Sequence, residues 1–437
     1  MYPSEGLMKA LNEIRETSIE NGTLYHKQVP VVEATTSITN FGMPILESQV
    51  IMNEFVSALM NRIAYTSFSN RYTYDNPLRI LFGDEIPLGE VVQDIYVNPA
   101  QARKYNVDDF AGILSKYEAS VKVQYLAKNQ DVQYCVSITR PSLKKAFTSW
   151  GDLERFIDEL ANSLYNGLYI DDYKLTKGLV ASAYNSGVAQ IRVVSSDPTA
   201  SESYGKAFVK QLRTDFLNMQ VPSINFNAYT KITDGDYVQT WTRPEDIVLV
   251  VRNDVFAANS VDVLSSAFNM DKTSFLGQVI TVDSLDPDNK IYAFMGDRRW
   301  FRINKQETFL DQWYNPNNRV WNYYLNQVAS FNYSLFSNGI IYASEDASVA
   351  ATDIEFEEAT ATVEENATVK LRVITTPVQA NSTITYTSSD TDKATVAADS
   401  SDPKKCVVTG KADGSVTITA TVDGHSDTCT VTVTDPA

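Results

Sequence analysis

Two runs near the C-terminus restrict this chain more than anything else in it. Ser415-Val416-Thr417-Ile418-Thr419-Ala420-Thr421-Val422 and Cys429-Thr430-Val431-Thr432-Val433 alternate apolar and hydroxyl side chains at period two. Successive side chains of a strand point to opposite faces, so each run predicts a strand with one buried face and one wet face. From Ile354 onward Phe356 and Tyr386 are the only aromatic residues, and Thr, Val, Ala and Asp dominate. The stretch 354–437 therefore reads as a small all-β module attached to a larger, aromatic-rich body.

The whole chain has 437 residues, enough for two or three domains. Its net charge of −17 opposes nucleic acid and anionic membrane, and no local basic patch reverses that average. The N-terminal stretch lacks a basic segment followed by an apolar one, and no apolar run reaches about 18 residues. A soluble chain made in a cytoplasm is expected.

Along the body, 1–45 reads as an extended arm that starts with a short amphipathic piece (Leu7, Leu11, Ile14). Met52, Phe55, Val56, Leu59, Met60 and Ile63 stripe a helix over 45–65. Turn signals and two strand-like runs, Val121-Lys122-Val123-Gln124-Tyr125 and 132–138, suggest a two-stranded excursion within 66–143. Leu153, Phe156, Ile157, Leu160, Leu164, Leu168, Leu175 and Leu179 predict a helix over 150–185, or two helices broken near Asp171-Asp172. Helices at 204–219 and 261–268 interleave with strands at 248–251, 279–282, 291–294 and 300–303, which makes the body α+β. Trp313, Tyr314, Trp321, Tyr323, Tyr324, Phe331, Tyr333 and Phe336 form an aromatic cluster whose spacing suits strand packing and subunit contact. A polar linker is placed at 343–353.

The sequence offers no catalytic, cofactor-binding or metal-ligating constellation. Phosphate-loop, dinucleotide-loop, zinc-helix and nucleophile-elbow motifs are all missing. Cys135, Cys406 and Cys429 read as buried small hydrophobes; the alternative for Cys406 and Cys429 is a disulfide, which needs an oxidising compartment. His26 and His425 are isolated. Asp286-Pro287-Asp288-Asn289 lacks the spaced Gly and the final Glu of a calcium loop, so it reads as a turn. Asp171-Asp172 and Asp108-Asp109 read as solvated loops or helix ends, and glycosylation sequons at Asn21, Asn332, Asn366 and Asn381 carry no weight without a secretory route.

Residues 355–435 resemble the bacterial immunoglobulin-like group 2 domain through Ala394-Thr395-Val396-Ala397, Val408-Thr409-Gly410, Gly414 through Val422, and Thr428 through Val433. The body resembles the major capsid proteins of the phi-29-like podoviruses. The strings that carry this, in order, are Asn76-Pro77-Leu78, Ile86-Pro87-Leu88-Gly89, Ser142-Leu143-Lys144, Ala146-Phe147, Ser149-Trp150-Gly151, Tyr165-Asn166, Ala267-Phe268-Asn269-Met270, Phe275-Leu276-Gly277, Trp300-Phe301 and Trp321-Asn322-Tyr323-Tyr324. The resemblance implies a Hong Kong-97-type capsid body over 46–342. In it, 1–45 is the N-terminal arm, 66–120 an extension loop, 150–185 the spine helix and 190–340 most of the axial domain. Peripheral-domain strands come from 121–140 and from near the body's end. Leu81-Phe82-Gly83-Asp84-Glu85 is apolar then acidic, so no salt bridge from this loop to a neighbour is carried over. The implied function is the head protein of a tailed bacteriophage, self-assembling as pentamers and hexamers of an icosahedral or prolate shell. The implied partners are a separate scaffolding protein, a portal at one vertex, and DNA held by enclosure alone. Its place is the virion, after assembly in the host cytoplasm. The alternatives are a bacterial surface adhesin or S-layer protein and, more remotely, a carbohydrate-active enzyme that uses the aromatic cluster.

Overall fold

A computed structural model describes residues 3–65, 74–86, 91–100, 102, 116, 118–259 and 279–435. The helix expected at 261–268, Asp108-Asp109 and parts of the loop expected over 66–120 lie outside the described residues. In chain order the described helices are α1 (Glu5–Glu20), α2 (Tyr25–Gln28), α3 (Ile38–Glu47), α4 (Gln49–Tyr65), α5 (Arg140–Ala146), α6 (Trp150–Asn185), α7 (Glu202–Asn218), α8 (Ala228–Ile232) and α9 (Asn253–Ala258). The strands of the body are β1 (Val92–Val97), β2 (Val121–Leu126), β3 (Gln130–Thr139), β4 (Gln190–Val193), β5 (Ile247–Arg252), β6 (Val279–Val282), β7 (Ile291–Asp297), β8 (Phe301–Asn315), β9 (Val320–Tyr333) and β10 (Gly339–Ala343). The C-terminal strands are β11 (Asp353–Phe356), β12 (Thr360–Glu364), β13 (Thr368–Thr376), β14 (Thr385–Ser388), β15 (Ala394–Ala398), β16 (Lys405–Gly410), β17 (Gly414–Val422) and β18 (His425–Thr434). The chain divides into two units.

The first unit comprises 1–92, 126–176 and 302–332. Here the extended arm expected over 1–45 is corrected: the segment is helical and packs into its own unit. Ser4 caps α1 by accepting the Leu7 N–H, and Leu7, Leu11 and Ile14 at helical spacing are buried. Asn12 holds the returning chain through both the N–H and the C=O of Val32, at 2.9 Å each. The Glu54 carboxylate of α4 accepts the Tyr25 N–H at 2.7 Å. Phe41 of α3, Phe55 of α4, Phe147 and Trp150 form a ring cluster with centroids 5.5–6.0 Å apart. A Cβ on Gly42 would lie 2.9 Å from the Phe147 ring, so the close approach of α3 requires glycine.

The sheet β3-β9-β8 completes this core with Ile138, Trp321, Tyr323 and Leu325. Helix α6 runs unbroken through Asp171-Asp172, because its neighbours satisfy both carboxylates. Asp172, 2% exposed, takes an ion pair from Lys305 Nζ at 2.8 Å, and Tyr134 donates its hydroxyl to Asp171 at 3.1 Å.

The second unit comprises 93–125, 177–301 and 333–437. Its body sheet has the order β4-β10-β7-β5-β6. Strands β5, β7 and β10 are buried along their length, and Phe208, Val209, Leu212 and Phe216 of α7 pack on one face. Buried Asp215 fastens α7 to the sheet, accepting from Tyr342 at 3.0 Å and from Arg192 at 2.8 Å. The same unit holds the C-terminal sandwich, whose sheets β11-β13-β16-β15 and β12-β18-β17-β14 enclose one core. Val416, Ile418, Ala420, Val422, Cys429, Val431 and Val433 point inward, as the alternation predicts. Asp423 and Gly424, both with positive φ, close the β17–β18 hairpin.

The stretch 343–353 is not a loose tether. Asn381 accepts the Val349 N–H at 2.9 Å and donates to the Ala347 carbonyl, while the Asp423 carboxylate accepts the Ala351 N–H at 2.7 Å. Arg372 of the sandwich pairs with Asp234 of the body, and Gln379 donates to the Ser186 carbonyl at 3.2 Å.

Candidate assembly surfaces

Strands β1 and β2 form a two-stranded ribbon in which the usual sense of alternation is inverted. The polar side chains face the unit. Ser334 donates to Asp94, Tyr96 donates to the Gln239 carbonyl, and Lys122 pairs with Asp236. Gln124 bridges the Tyr333 carbonyl and the Leu335 N–H, at 2.9 Å each. The hydrogen bond from the Lys122 ammonium, with a second from Tyr229, holds the Asp236 carboxyl below the usual carboxylate range. Burial pushes the Tyr96 hydroxyl up. The apolar side chains face out: Ile95, Val97, Val121, Val123 and Tyr125 are exposed, Tyr125 by 68%. Periodicity announces a strand here, but only the inversion marks a surface in want of a partner.

A second surface lies at β4, the terminal strand of its sheet among the described residues. Beside it lies a cleft of about 500 Å3 lined by Gln190, Arg192, Asn218, Ser223, Asn225 and Phe226, among others. On the first unit, Trp313 of β8 is 72% exposed. Of the rest of the aromatic cluster, Trp321, Tyr323, Phe331 and Phe336 are buried, while Tyr314, Tyr324 and Tyr333 are partly exposed.

The remaining candidates are structural. Cys406 and Cys429 are free, buried thiols on facing sheets of the sandwich. Burial pushes the Cys406 thiol up to about 11. Cys135, expected inside, is an exposed free thiol, because β3 turns it to the side opposite the core residues Tyr134 and Val136. His26 Nδ1 contacts Ser18 at 3.2 Å; His425, at the start of β18, is exposed. The Asp286 carboxylate accepts the N–H groups of Lys290 and Ile291, which is a turn. Among the described residues no group of three His, Cys, Asp or Glu side chains is placed to hold a metal ion, and no helix is long and apolar enough to cross a membrane.

Comparison with known proteins gives the family. A sequence model of the Phi29-like phage major capsid protein family matches residues 11–343, and one of the bacterial Ig-like domain (group 2) matches 340–433. The major capsid protein of Bacillus phage B103 is 29% identical over 358 residues, covering 81% of this chain and 77% of the relative. That of Bacillus phage PZA is 28% identical, covering 78% and 75%. That of Streptococcus phage Cp-1 is 26% identical, covering 77% and 94%. Among solved structures, a chain of the Staphylococcus phage Andhra capsid shares the fold. Its TM-score is 0.52 at 12% identity, over 64% of this chain and 88% of that one. The adhesin or S-layer alternative is not favoured. The chain belongs to the Phi29-like phage major capsid protein family, with a capsid-fold body that builds the shell of a virion and an Ig-like domain at its C-terminal end.

Proposed function

We propose that copies of this chain close into pentamers and hexamers of an icosahedral or prolate head, and that the β1–β2 ribbon, whose first strand lies in the extension loop over 66–120 and whose second opens the strand region at 121–140, makes a contact between copies. The inverted ribbon carries the reading. Its polar face is tied to its own unit, and its apolar face is left in water, which suits a subunit whose burial is completed by neighbours. In this reading 46–342 is the capsid body, with α6 as its spine helix and 190–340 supplying most of its axial domain. The segment 343–353 joins it to the Ig-like module at 354–437. Assembly takes place in the host cytoplasm with a separate scaffolding protein and a portal at one vertex. The acidic chain encloses DNA without binding it specifically. No reaction centre and no cofactor is needed.

The test is assembly of the full chain carrying Ile95→Asp and Val123→Asp with its head-assembly partners, read by negative-stain microscopy. Folded subunits without shells are expected. Shells at the wild-type yield would remove the ribbon from the interface.

A further inference from the structure

Among the described residues of the second unit, two groups of exposed apolar side chains bear on assembly. One is the ribbon face. The other is Val221, which lines the β4 cleft, with Val193, Leu217 and Ile224, each next in sequence to a lining residue. Neither group covers the other within one copy, since both are exposed. Their shapes differ: the ribbon presents side chains, and the cleft presents a recess beside β4, which is terminal in its sheet among the described residues. A ring of identical copies needs such a pair, because a head-to-tail contact joins two different patches of the same chain.

The cleft also selects among the ribbon's side chains. Its lining joins apolar Val221, Pro222 and Phe226 to the polar side chains of Gln190, Asn218, Ser223 and Asn225. About 500 Å3 admits a few side chains and not a whole strand. A tyrosine fits that description, with an apolar ring for the apolar part of the lining and a hydroxyl for the polar part. Tyr125 is the most exposed residue of the ribbon face. Tyrosine is also among the residues that most often anchor interfaces. Building on the proposed ribbon contact, we infer that Tyr125 of one copy seats in the β4 cleft of a second copy of this chain, with Val123 against Val221.

Cross-linking in assembled heads tests the pairing. In a full-length Cys135→Ser background, Val123→Cys with Val221→Cys should give a ladder of linked copies on a non-reducing gel after mild oxidation, and neither single variant should. Heads that form with both thiols, each reactive in the free subunit, yet give no ladder would overturn the assignment. Separately, Tyr125→Ala and Val221→Asp should each lower head yield at least tenfold with the subunit's circular dichroism unchanged. If Val123→Asp blocks assembly while Val221→Asp assembles at the wild-type yield, the cleft falls and the ribbon contact stands. If Val123→Asp assembles normally, the ribbon contact falls as well.

Discussion

The β17–β18 hairpin and the β1–β2 ribbon both contain runs that alternate apolar and polar residues, yet they bury opposite sides. In the hairpin Val416, Ile418, Val431 and Val433 are inside and the threonines are wet. In the ribbon Val121, Val123 and Tyr125 are wet, while Lys122 and Gln124 are held against the unit. A second sheet lies over one face of the hairpin within the same chain, so the hydrophobic effect is satisfied locally. Among the described residues the ribbon has no such cover. The difference separates a hairpin whose apolar face is covered within its own chain from a ribbon for which we propose that a neighbouring copy supplies the cover.

Breaking that contrast gives predictions of decreasing size. Val431→Asp places an unpaired charge in the sandwich core and should cost more than about 4 kcal/mol, unfolding the module in a thermal melt. Ile418→Ala, which leaves a cavity there, should cost about 2–5 kcal/mol. By contrast, Val123→Asp should change subunit stability by no more than about 0.5 kcal/mol in urea titration, although it removes heads. An equal loss of stability at positions 123 and 431 would erase the distinction between the two regions.

Thiol chemistry sharpens it further. Cys135 should react at once with a maleimide, whereas Cys406 and Cys429 should stay protected until the sandwich opens, since burial raises both thiols. The smallest effect concerns pH. Because Asp236 is held below its unfolded value of about 3.9, its contribution is present above that pH and is lost as pH falls through the lower folded value. Protection of 121–126 against hydrogen exchange, taken relative to the intrinsic rate at each pH, should therefore fall below about pH 4, and Asp236→Asn should remove that step. Protection that stays flat with acid in the wild type would detach the ribbon from this ion pair.

Much of the fold was legible because it follows from periodicity. The leucine stripe of α6 and the alternation of β17 and β18 show the type of element and that its two faces differ, and no distant residue is needed to see it. The arm was misread for a local reason. Pro30, Val31 and Val32 look extended, but Asn12 folds that stretch back onto α1, a contact twenty residues long in sequence. The possible break at Asp171-Asp172 was a matter of missing partners: Lys305 and Tyr134 arrive from β8 and β3 and keep the helix whole. The assembly surfaces were the least legible, since alternation states that two faces differ and is silent on which one meets water.

Residue order by itself therefore settled the long periodic elements, the β character of the C-terminal stretch, the acidic balance and the family strings. Tertiary structure alone decided that the first 45 residues fold inward, that Cys135 faces out and that the ribbon turns its valines to solvent. The reason is physical: periodicity is a property of neighbours along the chain, whereas burial is set by whatever surface comes to lie opposite.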